Sequence, residues 1–248
     1  MSSTAMWGDP YCTGVRPGAR LRYPGYDETY FCTFGFLFRG SDGATYVATS
    51  ALCAPMTRAE FLQTPPEKTW PAGRGPGVQD SSARPDGKDK RIVGRWVYLR
   101  HERLAEFGLI RLERGVKASP EVCEWGGPRG VDNEISVTPQ FIEFYGQGEG
   151  EGTGRWARED IVPTGFKDPD VVHGTYPVQA ADSGAPVLAG DKLALGMESG
   201  RIVVISQNEE NDDPYGVAPG SGSLIFRLPP LVARAEKALR IRLRLILS

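Results

Sequence analysis

The stretch FCTFGFLFRGSDGATYVATS, residues 31–50, decides the fold. Phe34, Phe36 and Phe38 alternate with Gly35 and Leu37, Ser41-Asp42-Gly43 supplies turn chemistry, and Tyr46-Val47-Ala48-Thr49 resumes an extended run. This pattern predicts a β-hairpin over residues 31 to 50. Working outward, short apolar runs bounded by Gly and Pro predict strands at Arg91 to Leu99, Glu106 to Leu112, Glu134 to Phe144, Pro186 to Leu188, Leu193 to Glu198, Ile202 to Ser206 and Ser223 to Arg227. One helix is predicted where Pro229-Pro230 opens a run in which Leu231, Ala235 and Leu239 share a face. Ile241, Leu243 and Leu245 then alternate with Arg242 and Arg244, the pattern of a closing strand.

Composition supports an all-β reading. Of 248 residues, 31 are Gly and 20 are Pro, about one in five against roughly 12% in average usage. With 29 Lys+Arg against 31 Asp+Glu and a net charge of −2, the chain is neither a disordered acidic segment nor a basic protein built to coat nucleic acid. No apolar run reaches the ~18 residues of a membrane-spanning helix. Met1 to Pro10 lacks the basic and apolar regions of a secretory signal. Residues 62–90, with five Pro and four Gly and no apolar period, read as a long loop. Gly146 to Gly154 reads as a flexible hairpin tip, and Gly115 to Gly130 as the boundary between two strand-rich halves. Cysteines 12, 32, 53 and 123 contain no C-x2-C pair, so no zinc site is expected; their even number permits two disulfides.

Four motifs in order carry a resemblance to a known family. CTFGFLFRGSDGATYVATSALC (Cys32–Cys53) resembles the first-barrel hairpin of the chymotrypsin-like, or trypsin-fold, serine proteases, which runs into a Thr-Ala-Ala/Gly-His-Cys signature. EFGLIRL (Glu106–Leu112) is similar to their Asp-x-Ala-Leu-x-x-Leu strand, ADSGAPV (Ala181–Val187) to their Gly-Asp-Ser-Gly-Gly-Pro-Val nucleophile signature, and LGMESG (Leu195–Gly200) to the strand bordering the specificity pocket, where Ser199 and Gly200 would line it. The compact loops and FLFRGSDG look more like the bacterial branch. The resemblance implies two six-stranded antiparallel Greek-key β-barrels with a C-terminal helix. Residues 12–115 would form the first barrel with its loop 62–90, 116–130 a linker, 131–228 the second barrel, and 229–248 the helix and closing strand. It also implies disulfides Cys32–Cys53 and Cys12–Cys123. Those disulfides imply a secreted or cell-surface setting, with four free thiols in a reducing cytosol as the alternative.

The departures from the family bear on chemistry. Its reaction needs a serine activated by an imidazole, a carboxylate orienting that imidazole, and backbone donors for the oxyanion. Leu52 stands in the place of the His and can neither accept nor give a proton. Glu106 stands in the place of the Asp, and without an imidazole to orient it is expected at the surface or on an arginine. Ala181 replaces the Gly whose N–H lines the oxyanion site with that of Ser183, which puts that site in doubt. Ser183 alone survives from the triad, and a serine hydroxyl without a base is a poor nucleophile. Asp182 is expected to be a buried, paired support of the nucleophile loop.

The reading is therefore a pseudoprotease: a non-catalytic module whose inter-barrel cleft takes a peptide or protein ligand, with no cofactor, no metal, no nucleic acid and no membrane span. The alternative is a serine hydrolase in which His101 or His173 serves Ser183 as a displaced base; a third reading is a purely structural module. Arg91 to Arg95 imitates a zymogen cleavage site but reads as an internal strand. Asn208 to Asp213 reads as a solvated turn, since it lacks the spacing of a calcium loop. Arg227, Arg234, Lys237, Arg240, Arg242 and Arg244 make a basic tail with one acid, Glu236, that could touch an acidic surface.

Overall fold

A computed structural model describes residues 14–24, 31–80, 91–102, 105–122, 126–133, 140–147, 156–162, 170–174, 178, 180–199, 203–204 and 221–248. The first sheet contains β1 (Arg20–Arg22), β2 (Phe31–Thr33), β3 (Leu37–Gly40), β4 (Thr45–Thr49), β5 (Glu67–Thr69), β6 (Gly77–Asp80), β7 (Ile92–Glu102), β8 (Ala105–Leu112) and β17 (Leu243–Leu245). The second contains β9 (Gly130–Val131), β10 (Gln140–Phe144), β11 (Trp156–Val162), β12 (Val171–Gly174), β13 (Pro186–Ala189), β14 (Leu193–Glu198), β15 (Val203–Val204) and β16 (Ser221–Arg227). Helix α1 (Arg58–Gln63) lies in the first half, and α2 (Leu228–Leu239) follows β16.

Both sheets curl closed. In the first, the order β17-β3-β4-β8-β7-β6-β1-β2 puts β2 at one end and β3 near the other, yet the two are joined by only Phe34–Phe36. Phe34 exchanges backbone hydrogen bonds with the β1 side, donating to Ala19 and accepting from Gly18, whereas Gly35 donates to Ala48 and Phe36 accepts from Ala48. Residues 31–40 are thus one bent run that changes partner at Gly35, where the reading of a simple hairpin strand missed the corner. In the second sheet, β10, β11, β12, β16, β14 and β13 pair in a closed ring of six, with β9 parallel on β14 and β15 on β16. The fold is two β-barrels followed by a C-terminal helix, with β5, β9, β15 and β17 added to the rings.

Alternation explains why strands such as Phe36–Phe38 and Tyr46–Thr49 are apolar on both faces. Leu37, Val47, Trp96 and Ile110 fill the interior of the first barrel with Leu21, Phe34 and Val78. Phe36, Phe38, Tyr46, Ala48, Tyr98 and Leu109 face outward into a second core, shared with Leu188, Met197, Leu224 and Phe226 of the other sheet and roofed by Leu228, Leu231 and Ala235 of α2. Ile142, Phe144, Val187, Leu195 and Ile225 fill the second barrel. A strand between two cores needs no polar face, so it reads as a continuous apolar run.

One expectation is corrected. The stretch 62–90 is not a plain loop: it holds the end of α1, then β5 and β6, each of three or four residues bounded by Pro or Gly, too short to show a period. Residues 81–90 lie outside the described residues, as do Cys12, Cys123, Gly148 to Gly154 and Asn208 to Asp213. The predicted Glu134 to Phe144 strand is described from Gln140. Near Cys12 and the linker, Val15 donates to Lys117 O and accepts from Ser119 N, which ties the start of the described chain to residues 117–119.

Outside the cores, the Tyr46 hydroxyl donates to Asp42 Oδ2 at 2.8 Å. Burial and this bond to a carboxylate push the Tyr46 phenol from 10.0 up to about 12. Burial and a bond to Glu67 raise Tyr98 in the same direction. The folded state therefore holds these protons more tightly than the unfolded chain. Their stabilising contribution is fully present below about pH 10 and fades as pH climbs toward about 12. Urea midpoints should fall through that window, and Tyr46→Phe should flatten the fall; a pH-independent midpoint would contradict the assignment.

Candidate functional site

Ser183 follows a single 3-10 turn, Ala180–Asp182, and opens into β13. The next residue, Gly184, has φ +89°, and a Cβ there would meet Thr33 O and Thr49 Oγ1 at 2.5 Å. Only glycine fits, because the left-handed backbone and the close approach of the first sheet coincide. The loop is fixed to its own barrel by Gly184 N–H to Glu198 O (2.8 Å), Glu198 N–H to Ala185 O (2.9 Å) and Ala185 N–H to Asp182 O (2.8 Å).

It is fixed to the other barrel through Thr33. The Thr33 N–H donates to Ser183 O at 3.1 Å, and its hydroxyl donates to Ala181 O at 2.8 Å while accepting from Gln147 N–H at 3.0 Å. Thr49 Oγ1 in turn donates to Thr33 O at 2.9 Å. Gly35 completes the seam: a Cβ there would stand 2.9 Å from Gly184 O.

Leu52 sits half-buried in the 3-10 turn Ala51–Cys53, where the Ser50 side chain accepts from Leu52 N–H at 3.2 Å. The disulfide Cys32–Cys53, with a Cα separation of 5.9 Å, ties this turn to β2. Cys53 Sγ lies 3.3 Å from Ser183 O; since a disulfide sulfur has no proton to donate, this is a packing contact that sets the Leu52 turn against the Ser183 loop. The turn also packs on β7 and β8, and β8 carries Glu106.

The turn that carries Leu52 and the loop that carries Ser183 thus lie side by side. Glu106, expected at the surface or on an arginine, is 2% exposed, so the surface alternative does not hold. Ser183 is also 2% exposed, and Ser199 and Asp182 are buried. The Asp182 carboxylate lies against Gly146, where a Cβ would come within 2.0 Å of Oδ1. The Ser183 hydroxyl donates to the Ser199 carbonyl at 2.9 Å. Ala181 is not among the residues with positive φ.

His101, in β7, has Nε2 3.0 Å from Thr64 O and its ring centroid 4.3 Å from that of Phe61 in α1. His173 is a backbone member of β12, paired with Val162 and Leu224; its side chain and Gly200 lie outside the described residues. Among the described residues, no group of three or more His, Cys, Asp or Glu is placed to hold a metal ion. Sequence reasoning missed Thr33, Thr49 and the fully buried Glu198. An acid closing the apolar run Leu193–Met197 was the available signal for Glu198; Thr33 and Thr49 carried none, being ordinary strand residues.

The fold is similar to those of bacterial chymotrypsin-like serine proteases. Protease A of Thermobifida fusca superposes with a TM-score of 0.58 at 17% identity, covering 95% of this chain and 100% of that one. A chymotrypsin of Cellulomonas bogoriensis gives 0.54 at 15% identity over 94% and 99%, and a Nocardiopsis protease 0.53 at 15% over 93% and 100%. No protein-family model and no curated protein matches the sequence. At these identities the likeness is one of fold, and the fold is the trypsin-like pair of barrels.

The Thr33 hydroxyl, shared between Ala181 and Gln147 of the second half, is open to test. Thr33→Val keeps the shape and removes both bonds, leaving a carbonyl and an N–H without their partner. A loss of about 1–3 kcal/mol in unfolding free energy is expected in urea titrations.

Proposed function

We propose that this chain is a pseudoprotease of the trypsin fold, which keeps the cleft between the barrels for binding a peptide or protein segment and no longer cleaves it. The observation that carries this reading is the hydrogen bond from Ser183 Oγ to Ser199 O. A serine becomes a nucleophile when its proton is handed to a base. Here the proton is directed at a backbone carbonyl, which is too weakly basic to take it. The side chain at the base position, Leu52, offers nothing in its place.

Two further observations support the reading. Ala181 does not adopt the left-handed backbone available to the glycine it replaces, which argues against an intact pair of oxyanion donors. Losing a single such donor costs about 10²- to 10³-fold in rate. The His101 ring is engaged by Thr64 O and Phe61, which leaves it ill-suited to serve as a displaced base. Binding has weaker requirements than catalysis: an extended segment needs only strand edges and a few hydrogen bonds, as in β-augmentation.

Labelling with a fluorophosphonate probe tests the reading. No adduct at Ser183 is expected, and no hydrolysis of a broad peptide library above background. Turnover abolished by Ser183→Ala would overturn it in favour of a rearranged serine hydrolase. Leu52→His alone should not restore hydrolysis, whereas Leu52→His with Glu106→Asp and Ala181→Gly should give a higher rate than the single change.

A further inference from the structure

The basic tail has no part in the cleft, and its placement has a logic of its own. β17 pairs with β3 and ends the first sheet. Arg242 O accepts from Ser41 N–H and Ile246 N–H donates to Leu37 O, each at 2.9 Å, so the even-numbered residues of this run turn their backbone groups toward β3. Leu243 turns the other way, its N–H donating to the Glu236 carboxylate at 2.7 Å. By the same alternation, Leu243 C=O and the N–H and C=O of Leu245 point away from the sheet.

The side chains beside this edge are cationic. Arg39, Lys237, Arg240, Arg242 and Arg244 are all exposed. Arg244 stands directly opposite Arg39 in the ladder, an arrangement of like charges that destabilises a strand pair. Among the described residues, the acid in reach of this strip is Glu236, 3.9 Å from Arg242, whose own side chain is 89% exposed. The Arg39 guanidinium finds only the Gly43 carbonyl, at 3.2 Å. Leu247, two positions beyond Leu245, is 49% exposed.

We propose that the β17 edge is a docking site for an extended acidic polypeptide, one with carboxylates at alternate positions, which adds to the first sheet as a further strand. Arg242 and Arg244 repeat at two-residue spacing, about 6.7 Å along a strand. A peptide with Glu or Asp at every second residue sets its carboxylates in cross-strand positions against them, where guanidinium forks can engage them. The outward C=O of Leu243 and the outward N–H and C=O of Leu245 select a polypeptide over other polyanions, because a phosphate backbone or a lipid surface cannot continue the ladder. Leu247 gives the interleaved apolar residues a contact. The proposal is independent of whether Ser183 is active.

The test is fluorescence anisotropy of the full chain with a labelled Glu-Val-Glu-Val-Glu-Val peptide. Three competitors accompany it: Glu-Glu-Glu-Val-Val-Val, the alternating peptide N-methylated on alternate backbone nitrogens, and inorganic polyphosphate. Saturable binding of the alternating peptide is expected, with little competition from the other three. Arg242→Glu with Arg244→Glu should weaken it by about tenfold or more. Arg244→Glu sets an opposite charge against Arg39, so the variant should melt no lower than the parent, which separates lost binding from lost folding. Absent binding, equal competition by the N-methylated peptide, or stronger competition by polyphosphate would each overturn the proposal, the last marking a general anion surface.

Discussion

The seam at Thr33, Gly35 and Gly184 is the constraint on which the rest of the site depends. Two barrels meet there with backbone against backbone, and no Cβ fits at either glycine. That close approach is what brings the Cys53 turn within contact of Ser183, so the spacing between the turn that carries Leu52 and the Ser183 loop is set by glycines. The bonds of Thr33 to Ser183 and Ala181 hold the loop in one conformation. The frame therefore rests on backbone contacts and on Thr33, whatever side chain stands at position 52.

Individual elements were legible in short segments: the extended runs and turn at 31–50, the strand at Glu106 and the helix opened by Pro229-Pro230 stand where their residues imply, while the two-barrel plan was implied by the family resemblance of the motifs. What escaped was geometry that local pattern does not encode. The change of strand partner at Gly35 depends on Ala48, inside the predicted hairpin, and on Ala19, outside it. β5 and β6 are too short for periodicity, and α1 was missed although Thr57 and Glu60 form a capping box that the sequence spells out. The burial of Glu106 could not be read from its sequence neighbours. At the site, the residue types at 52, 106, 181 and 183 could be read off the chain. The direction of the Ser183 hydroxyl could not, since it is set by Ser199, sixteen residues downstream.

The three cores are chained together. The core between the sheets takes the outward faces of both barrels and the underside of α2, while each barrel interior is filled by its own strands. Loosening α2 would thus expose the outer faces of both barrels at once. The helix is distant in sequence from every residue of the Ser183 site, yet it belongs to the same packing unit through Met197 and Phe226.

The pairing of β17 with β3 has a consequence for the order in which the molecule is made. Arg242 N–H bonds the Ser41 side chain across 201 residues of sequence, so the first sheet cannot be completed until the whole second barrel has left the ribosome. During synthesis the outer edge of β3 stands open for as long as it takes to make those residues, at about 5–20 per second. An uncapped edge that lasts that long invites pairing with the wrong strand. The first sheet, although earliest in the chain, is the last to receive all its strands, and the β17–β3 pairing is a long-range event of the kind that slows folding.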